Sequence, residues 1–502
     1  MNIVSSVILA FLCTLCYNTA VAGGLSAVCG KVFMKIKRFK FRPIGIVVAS
    51  FVIVIFAGAG LLCIPAAVRS GKPDFLTALF TATSATCVTG HTMVDPYTYF
   101  TGFGQAVILL LIQIGGLGFI TIISLFMLYI KKDVTLSDRK LAMQSAGGLK
   151  MAGVKGLLKY IFIGTFALEF LGAVLLSVSF VRDYGWGMGI WQAVFTSVSS
   201  FCNAGFSLTG AGGDLSLAGY SSDPLFLLTV MALITIGGLG FYVWYDVITN
   251  RFRPARYSLH TKVVLISTGG ILLIAWALFM AFEWNNAGTI GNMNAVDKLL
   301  NSLFFAVTPR TAGHYTVDMN YFSDGAYLLT NLLMFVGGSP GSTAGGVKTT
   351  TFVVLILTMI AACRREKQVR VMKRGISQDD VISSVTVTML YVIAIVASVF
   401  VICGVDGGTP YVSDYGNATT IVAGEAVPNV VNFKNVLFEV ISAISATGLT
   451  LGITAELSAL SQVILILLMF FGRVGGYTLV LVFSETRRPP AITRLPEHIM
   501  IG

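Results

Sequence analysis

The sequence predicts an all-α membrane protein made of four repeated helix–short-helix–helix units. Three observations predict it. Apolar residues make up 55% of the 502 residues and Asp, Glu, Lys and Arg only 11%, against about 25% charged residues in an ordinary soluble domain. The mean hydropathy is +0.83. One order of segments recurs four times: a long apolar run, a short apolar run ending in glycine, and a second long run. This composition excludes a cytosolic globular enzyme, a disordered tail and a disulfide scaffold.

The net charge of +11 is a statement about topology. Of the 34 Lys and Arg, 27 fall in five clusters, at 31–42, 131–159, 251–262, 348–374 and 487–494. Two apolar spans separate each cluster from the next, so all five share one face, and the positive-inside rule makes that face cytoplasmic. The excess therefore gives no support for a nucleic-acid partner. Lipid headgroups or a docking protein explain it equally well. The expected spans are 44–68, 102–130, 157–181, 224–247, 263–282, 327–362, 381–403 and 457–483, each near or above the ~20 residues of a crossing helix. The chain then divides into an N-terminal apolar and basic segment (1–43), four units (44–156, 157–262, 263–380, 381–486) and a cytoplasmic C-terminus (487–502). Residues 3–28 form a further apolar run. Ala20-Val21-Ala22 resembles a signal-peptide cleavage site. Cleavage outside would leave the basic run 31–42 on the wrong face, which favours an extra anchor helix. Cys13 and Cys16 match CxxC but lack a second pair, and are read as incidental.

Inside each pair of spans lies the short segment, at 75–90, 191–205, 299–313 and 435–448, ending at Gly90, Gly205, Gly313 and Gly448. Each is too short to cross and suits a re-entrant helix. Four external helices with ordinary glycine caps are the plainer alternative, and recurrence at the same place in four units argues against it. The second long run of each pair carries a glycine cluster. Gly115-Gly116-Leu117-Gly118-Phe119 is repeated letter for letter as Gly237-Gly238-Leu239-Gly240-Phe241, and units three and four have 337–346 and Gly472-Arg473-Val474-Gly475-Gly476. Four such units can surround an axis in pseudo-fourfold arrangement around one central pore per chain. The short helices then aim their negative C-terminal ends at the centre, and the extended residues after them offer backbone carbonyls to a dehydrated cation. Non-helical backbone at this depth is tolerated where it lines a cavity or is buried in protein. These features together predict a monovalent-cation pore formed by one chain.

At Thr308-Pro309-Arg310-Thr311-Ala312-Gly313, Phe201-Cys202-Asn203-Ala204-Gly205, residues 337–346 and Gly472-Arg473-Val474-Gly475, the chain resembles the Trk/Ktr/HKT superfamily of potassium transporters. It is most similar to the KtrB-type membrane subunit of bacterial Ktr systems, and the resemblance covers about 40 to 490. The resemblance implies a selectivity filter built from Thr86, Cys87, Val88, Thr89 and Gly90; from Phe201, Cys202, Asn203, Ala204 and Gly205; from Arg310, Thr311, Ala312 and Gly313; and from Ser445, Ala446, Thr447 and Gly448. Serine at the first of the four glycine positions goes with sodium preference in the plant branch, so glycine here favours potassium.

A stretch of Gly337, Gly338, Ser339, Pro340, Gly341, Ser342, Thr343, Ala344, Gly345 and Gly346 cannot continue a helix. Its Gly341–Thr349 portion is a decoy for a phosphate loop. Val347 separates Gly346 from Lys348, and no β-strand is expected before it. A packing kink is one reading, and the resemblance implies an intramembrane gate. Arg473 lies in an apolar span, where a charge is costly and by default functional. The resemblance places it beside the gate, as a barrier to cations. Arg310 is read as bracing the filter, with Glu439 as its partner. His91 and His314 come directly after filter glycines. They are either exposed polar residues or groups at the outer mouth whose protonation near pH ~6.5 would slow cation passage. The loop 404–433 carries Asp406, Asp414 and Glu425 and no basic residue, which suits a solvated external surface.

The expected function is potassium uptake across the plasma membrane, with sodium or mixed monovalent-cation transport on the same fold as the alternative. K+ is the transported ion and Na+ a candidate activator. The chain carries no cofactor site and no nucleotide site of its own. The resemblance implies a homodimer docked on a cytoplasmic nucleotide-binding ring of the KtrA type. A membrane enzyme would need converging titratable groups, and Glu169, Asp246 and Arg473 are too scattered to supply them. A non-conducting membrane anchor is the remaining class.

Overall fold

The computed structural model describes residues 43–118, 154–212, 216–366, 368–372, 374–410, 419–422 and 425–475. The apolar run 3–28, the CxxC pair and the basic segment 487–494 lie outside the described residues. Contacts divide the chain at residue 46/47, and the larger unit, Val47–Gly502, holds all the elements that bear on the site.

The architecture is helical. The first helix, α1 (Pro43–Leu62), is followed by the short α2 (Phe75–Cys87), a single turn α3 (Pro96–Tyr99) and α4 (Gly102–Leu117). Next comes α5 (Val154–Cys202), in fact two helices joined at Gly185, where φ is +75°. Gly189 packs so closely on the backbone of Phe180 and Val181 that no β-carbon would fit. The chain folds back there, where the first long span of the second unit gives way to the segment 191–205. Then come α6 (Pro224–Gly238), α7 (Phe241–Thr249), α8 (Leu259–Glu283), α9 (Ala295–Val307), α10 (Asp324–Phe335), α11 (Thr349–Cys363), α12 (Gln378–Asp406), α13 (Phe433–Ser445) and α14 (Ala459–Val474). Two small antiparallel hairpins join Arg370–Val371 with Arg374–Gly375 and Thr419–Val422 with Glu425–Pro428.

The helix starts are set by local chemistry. Asp74, Thr101, Asp223, Ser258, Ser323, Ser377, Asn432 and Ser458 each accept the backbone N–H of the third residue on, closing donors that a helix end leaves open. At Asp74 the amide and hydroxyl of Thr77 hold the carboxyl below its usual range.

By length and composition, three described helices can cross a membrane: the first part of α5, α8 and α12. The pair α6–α7 makes a fourth, although it bends by 92°. The second spans are the ones that depart from expectation. They do not run through their glycine clusters as single helices. Helix α4 ends at Gly118 (φ +78°), α6 and α7 part at Gly240 (φ +98°) and α14 ends at Gly475 (φ +89°). Positive φ is open to glycine and closed to a continuing helix.

One further device recurs. Where the first long helix of a unit ends, a polar side chain grips the start of the second. Glu283 accepts the Ser323 amide (3.0 Å) and hydroxyl (2.6 Å). Asp406 accepts the Ser458 amide (3.3 Å) and hydroxyl (3.0 Å). In the second unit the polarity reverses, and the Ser179 hydroxyl donates to Asp223 at 2.6 Å. Asp406, expected in a solvated loop, is 5% exposed and Glu283 is fully buried. Glu283→Ala and Asp406→Ala should each lower stability by about 1–3 kcal/mol, read as a lower unfolding midpoint of the detergent-solubilised protein. An unchanged midpoint would show that these clasps are incidental.

Candidate functional site

The four short helices end in related ways. Two residues before each terminal glycine the backbone turns left-handed, at Val88 (φ +56°), Asn203 (+60°), Thr311 (+69°) and Ala446 (+55°). The glycines themselves have φ of +100° (Gly90), +71° (Gly205), +78° (Gly313) and +85° (Gly448). In three units the residue between donates its amide five residues back, from Thr89 to Ser84 (2.8 Å), Ala204 to Ser199 (2.7 Å) and Thr447 to Ser442 (2.9 Å). That bond satisfies a carbonyl the helix end would leave bare. The third unit is tighter, with Ala312 donating to Thr308 at 2.9 Å. A β-branched Val88 in this region is strained, and such strain persists only where the surroundings impose it.

These ends meet. A β-carbon on each glycine would fall within 3.0 Å of the carbonyl oxygen just before another glycine. Gly90 lies against Ala204, Gly205 against Ala312, Gly313 against Thr447 and Gly448 against Thr89. The sequence of contacts closes on itself. The side-chain polar atoms of Thr86, Thr89, Asn203 and Thr311 are buried here without a hydrogen-bond partner among the described residues. A second layer of glycines lies behind. Gly115, Gly237 and Gly472 sit against the carbonyls of Thr86, Phe201 and Ile444, the same position in each short helix, four residues before its glycine. Any side chain there would push the second long helix off the short one.

The expected gate stretch forms an irregular loop between α10 and α11. Val336 and Val347 pair as a parallel bridge. Thr349 donates its amide to Gly338 (3.1 Å), Ser339 to Gly238 (3.1 Å) and Phe241 to Gly341 (2.8 Å), so the loop is tied to the break between α6 and α7. The Arg473 guanidinium donates to the carbonyls of Thr343, Gly115 and Gly116. The structure thus brings Arg473 onto the loop. Lys348 joins them, donating to the carbonyls of Ala344 (2.8 Å) and Gly345 (3.2 Å). In sequence Lys348 counts with a cytoplasmic basic cluster. The signal that sets it apart is its place two residues after Gly346, far upstream of the cluster's other members.

Two expectations about side chains are corrected. Arg310 and Glu439 do not pair. Arg310 is 7% exposed, reaches the Thr268 hydroxyl at 3.5 Å and leaves Nε without a partner among the described residues. Glu439 is fully engaged elsewhere, accepting from His91 Nε2 (2.7 Å), the Thr450 hydroxyl, the Leu451 amide (3.2 Å) and the Thr454 hydroxyl (3.2 Å). Nor do His91 and His314 face solvent. Both are buried, and His314 Nε2 lies 3.2 Å from the Ser200 hydroxyl. The packed helix bundle takes in rings that a linear reading places at an open mouth. Glu169 is also buried, receiving the Gln113 amide at 3.2 Å and the Cys202 thiol at 3.8 Å.

Residues 41–491 match the family described as cation transport protein, TrkH. The chain is 38% identical to the Ktr system potassium uptake protein B of Bacillus subtilis, over 90% of this chain and 95% of that one. It is 36% identical to the potassium/sodium uptake protein NtpJ of Enterococcus hirae, over 93% and 98%. The crystal structure of the potassium transporter TrkH from Vibrio parahaemolyticus superposes with a TM-score of 0.67 at 18% identity, covering 90% of this chain and 86% of that one. At that identity the likeness concerns the fold alone.

Gly448→Ala should cost about 2 kcal/mol or more, because the new methyl meets the Thr89 carbonyl at a positive φ. Gly60→Ala, with nothing within 4 Å, should be neutral or gain up to about 1 kcal/mol from helix propensity. Equal unfolding midpoints for the two variants would remove the packing argument.

Proposed function

The chain belongs to the TrkH family of cation transport proteins, and from that premise we propose that it carries K+ into the cell across the plasma membrane, as the translocating subunit of a Ktr-like system. The relatives' names supply the ion, and one observation carries the mechanism: four left-handed turns whose glycines pack on one another's carbonyls in a closed cycle. On this reading the four units stand in pseudo-fourfold arrangement around one pore. The residues leading to Gly90, Gly205, Gly313 and Gly448 form the filter. Carbonyls held by such packing replace the water shell of a monovalent cation. The C-terminal ends of four helices add negative potential at the same place. The unpartnered polar atoms of Thr86, Thr89, Asn203 and Thr311 suit a path that hydrated and dehydrated ions share. Transport, rather than catalysis, is what this geometry serves.

The loop 337–346 with Arg473 is the gate of this reading. Two cationic side chains on consecutive carbonyls, Thr343 through Gly345, put positive charge beside the path and hold the loop in place. A homodimer and a cytoplasmic nucleotide-binding ring complete the proposal, in keeping with relatives named as components of a Ktr system. Sodium is the second reading for the ion, favoured by the relative named for potassium and sodium uptake.

Rubidium uptake by a host lacking its own K+ uptake tests the main reading. The wild-type chain should restore saturable uptake, and Gly313→Ser should lower the preference for rubidium over sodium by about tenfold or more. A chain that is inserted but carries no rubidium would overturn the proposal. Arg473→Gln should raise the maximal uptake rate by about five- to tenfold, the equivalent of one charge-assisted hydrogen bond to the loop, with the half-saturating concentration unaltered. A maximal rate equal to or below wild type would count against the gate.

A further inference from the structure

The first and last units meet at a seam that is fastened twice. On the backbone, Gly448 lies against the Thr89 carbonyl and the Gly90 α-carbon. One residue further on, His91 reaches across to Glu439 on α13, with Nε2 and Oε2 2.7 Å apart and both side chains at most 1% exposed. Glu439 Oε1 takes the Leu451 amide (3.2 Å) and the Thr450 hydroxyl, and Oε2 also takes the Thr454 hydroxyl (3.2 Å). A single carboxylate therefore ties the strand leaving Gly90 to the strand leaving Gly448. The other ring nitrogen of His91 has no partner among the described residues, so Glu439 supplies the polar hold on that ring. The seam between units two and three has a histidine in the same place, but its partner is a neutral hydroxyl, Ser200, at the longer distance of 3.2 Å.

We propose that the His91–Glu439 pair is a specificity-positioning contact, which holds the Thr89 carbonyl at the separation that suits K+ and excludes Na+. The inference rests on the filter reading above. A carbonyl ring discriminates by its size and by the field of its oxygens, and Thr89 belongs to a strand anchored on one side by its own helix, through the Ser84 hydroxyl on the Gly90 amide (3.0 Å). On the other side the anchor is the pair. Without it, the Gly448–Thr89 contact is the remaining restraint at that seam and the oxygen is free to relax toward a smaller ion. A charge-assisted hydrogen bond in a dry site is strong enough for this task. Neither residue touches the ion.

Rubidium and sodium uptake, measured side by side in the same K+-uptake-deficient host, test this. His91→Phe fills the space without a donor. It should lower the rubidium-over-sodium preference by about tenfold, chiefly through faster sodium uptake. His91→Gln places an amide N–H near the Nε2 position and should stay within about threefold of wild type. An unaltered preference in His91→Phe overturns the proposal. So does an equal fall in both ions, which is what a merely structural role would give, and so does an equal defect in His91→Gln. If His91→Phe does not accumulate in the membrane, Glu439→Gln, which keeps the shape of the carboxylate, is judged by the same criteria. A wild-type chain without rubidium uptake would instead refute the transport reading itself, so the two failures are distinct.

Discussion

Backbone that leaves the helix inside a membrane has no water to turn to. Every bare amide or carbonyl there costs several kcal/mol, and the rest of this structure is arranged around that constraint. Among the described residues, the four short-helix ends, the breaks at Gly118, Gly240 and Gly475 and one long loop leave the regular hydrogen-bond pattern. Three of the helix ends close on themselves, with Thr89, Ala204 and Thr447 donating five residues back. They are then packed so tightly by Gly115, Gly237 and Gly472 that their position is set by contact between backbones. The glycine clusters that punctuate the sequence are the consequence: only a residue without a β-carbon lets a long helix rest on the carbonyls of a short one.

The same constraint divides the path electrically, on the proposed reading. At the filter, carbonyls converge and their negative ends attract. At the loop, Thr343, Ala344 and Gly345 would be equally bare, yet here Arg473 and Lys348 satisfy them. A carbonyl satisfied by a fixed cation is lost to a passing one. One chemical group, the peptide carbonyl, is thus a binding site in one layer and a barrier in the next, according to what donates to it. Conduction needs both, since an ion must bind well enough to shed water and weakly enough to leave.

How much of this is legible in the sequence depends on the range of each interaction. Helix starts are legible because Asp, Ser, Thr and Asn cap residues three positions away. The glycines are legible because their conformational role is local and repeats. The fold-back at Gly185 and Gly189 falls where a long apolar run gives way to a short one. The breaks at Gly118, Gly240 and Gly475 are visible as letters but pass for mid-helix features, since a glycine in a helix and a glycine ending one look alike until the neighbouring backbone is known. Side-chain pairing is the least legible. Arg310 and Glu439 are opposite charges in matching segments, and charge alone suggests a pair. Glu439 instead finds His91, 348 residues away, and no local pattern announces such a partner. Lys348 is easily misplaced because it is the first of a basic cluster in sequence while its amine is turned back onto the loop before it.

The four left-handed turns are alike in backbone, but the side chains around them are not, and the difference is instructive. Histidines fasten the seams between units one and four and between two and three. The other two seams use unlike contacts: Trp191 donating to Gln105 at 2.9 Å between units one and two, and Asn320 donating to the Leu451 carbonyl at 3.3 Å, with Lys434 on Asp324 at 3.0 Å, between units three and four. The third unit departs further, with a tighter turn after Pro309 and a second helix interrupted by the loop. Four identical chains could not make these distinctions. On the proposed reading, a single chain can keep the cation chemistry in the backbone, where glycine makes the four turns alike, and still let each seam and one gate be built from residues of its own. On that reading the ion would meet near-equivalent oxygens, while the forces that align them are free to differ from unit to unit.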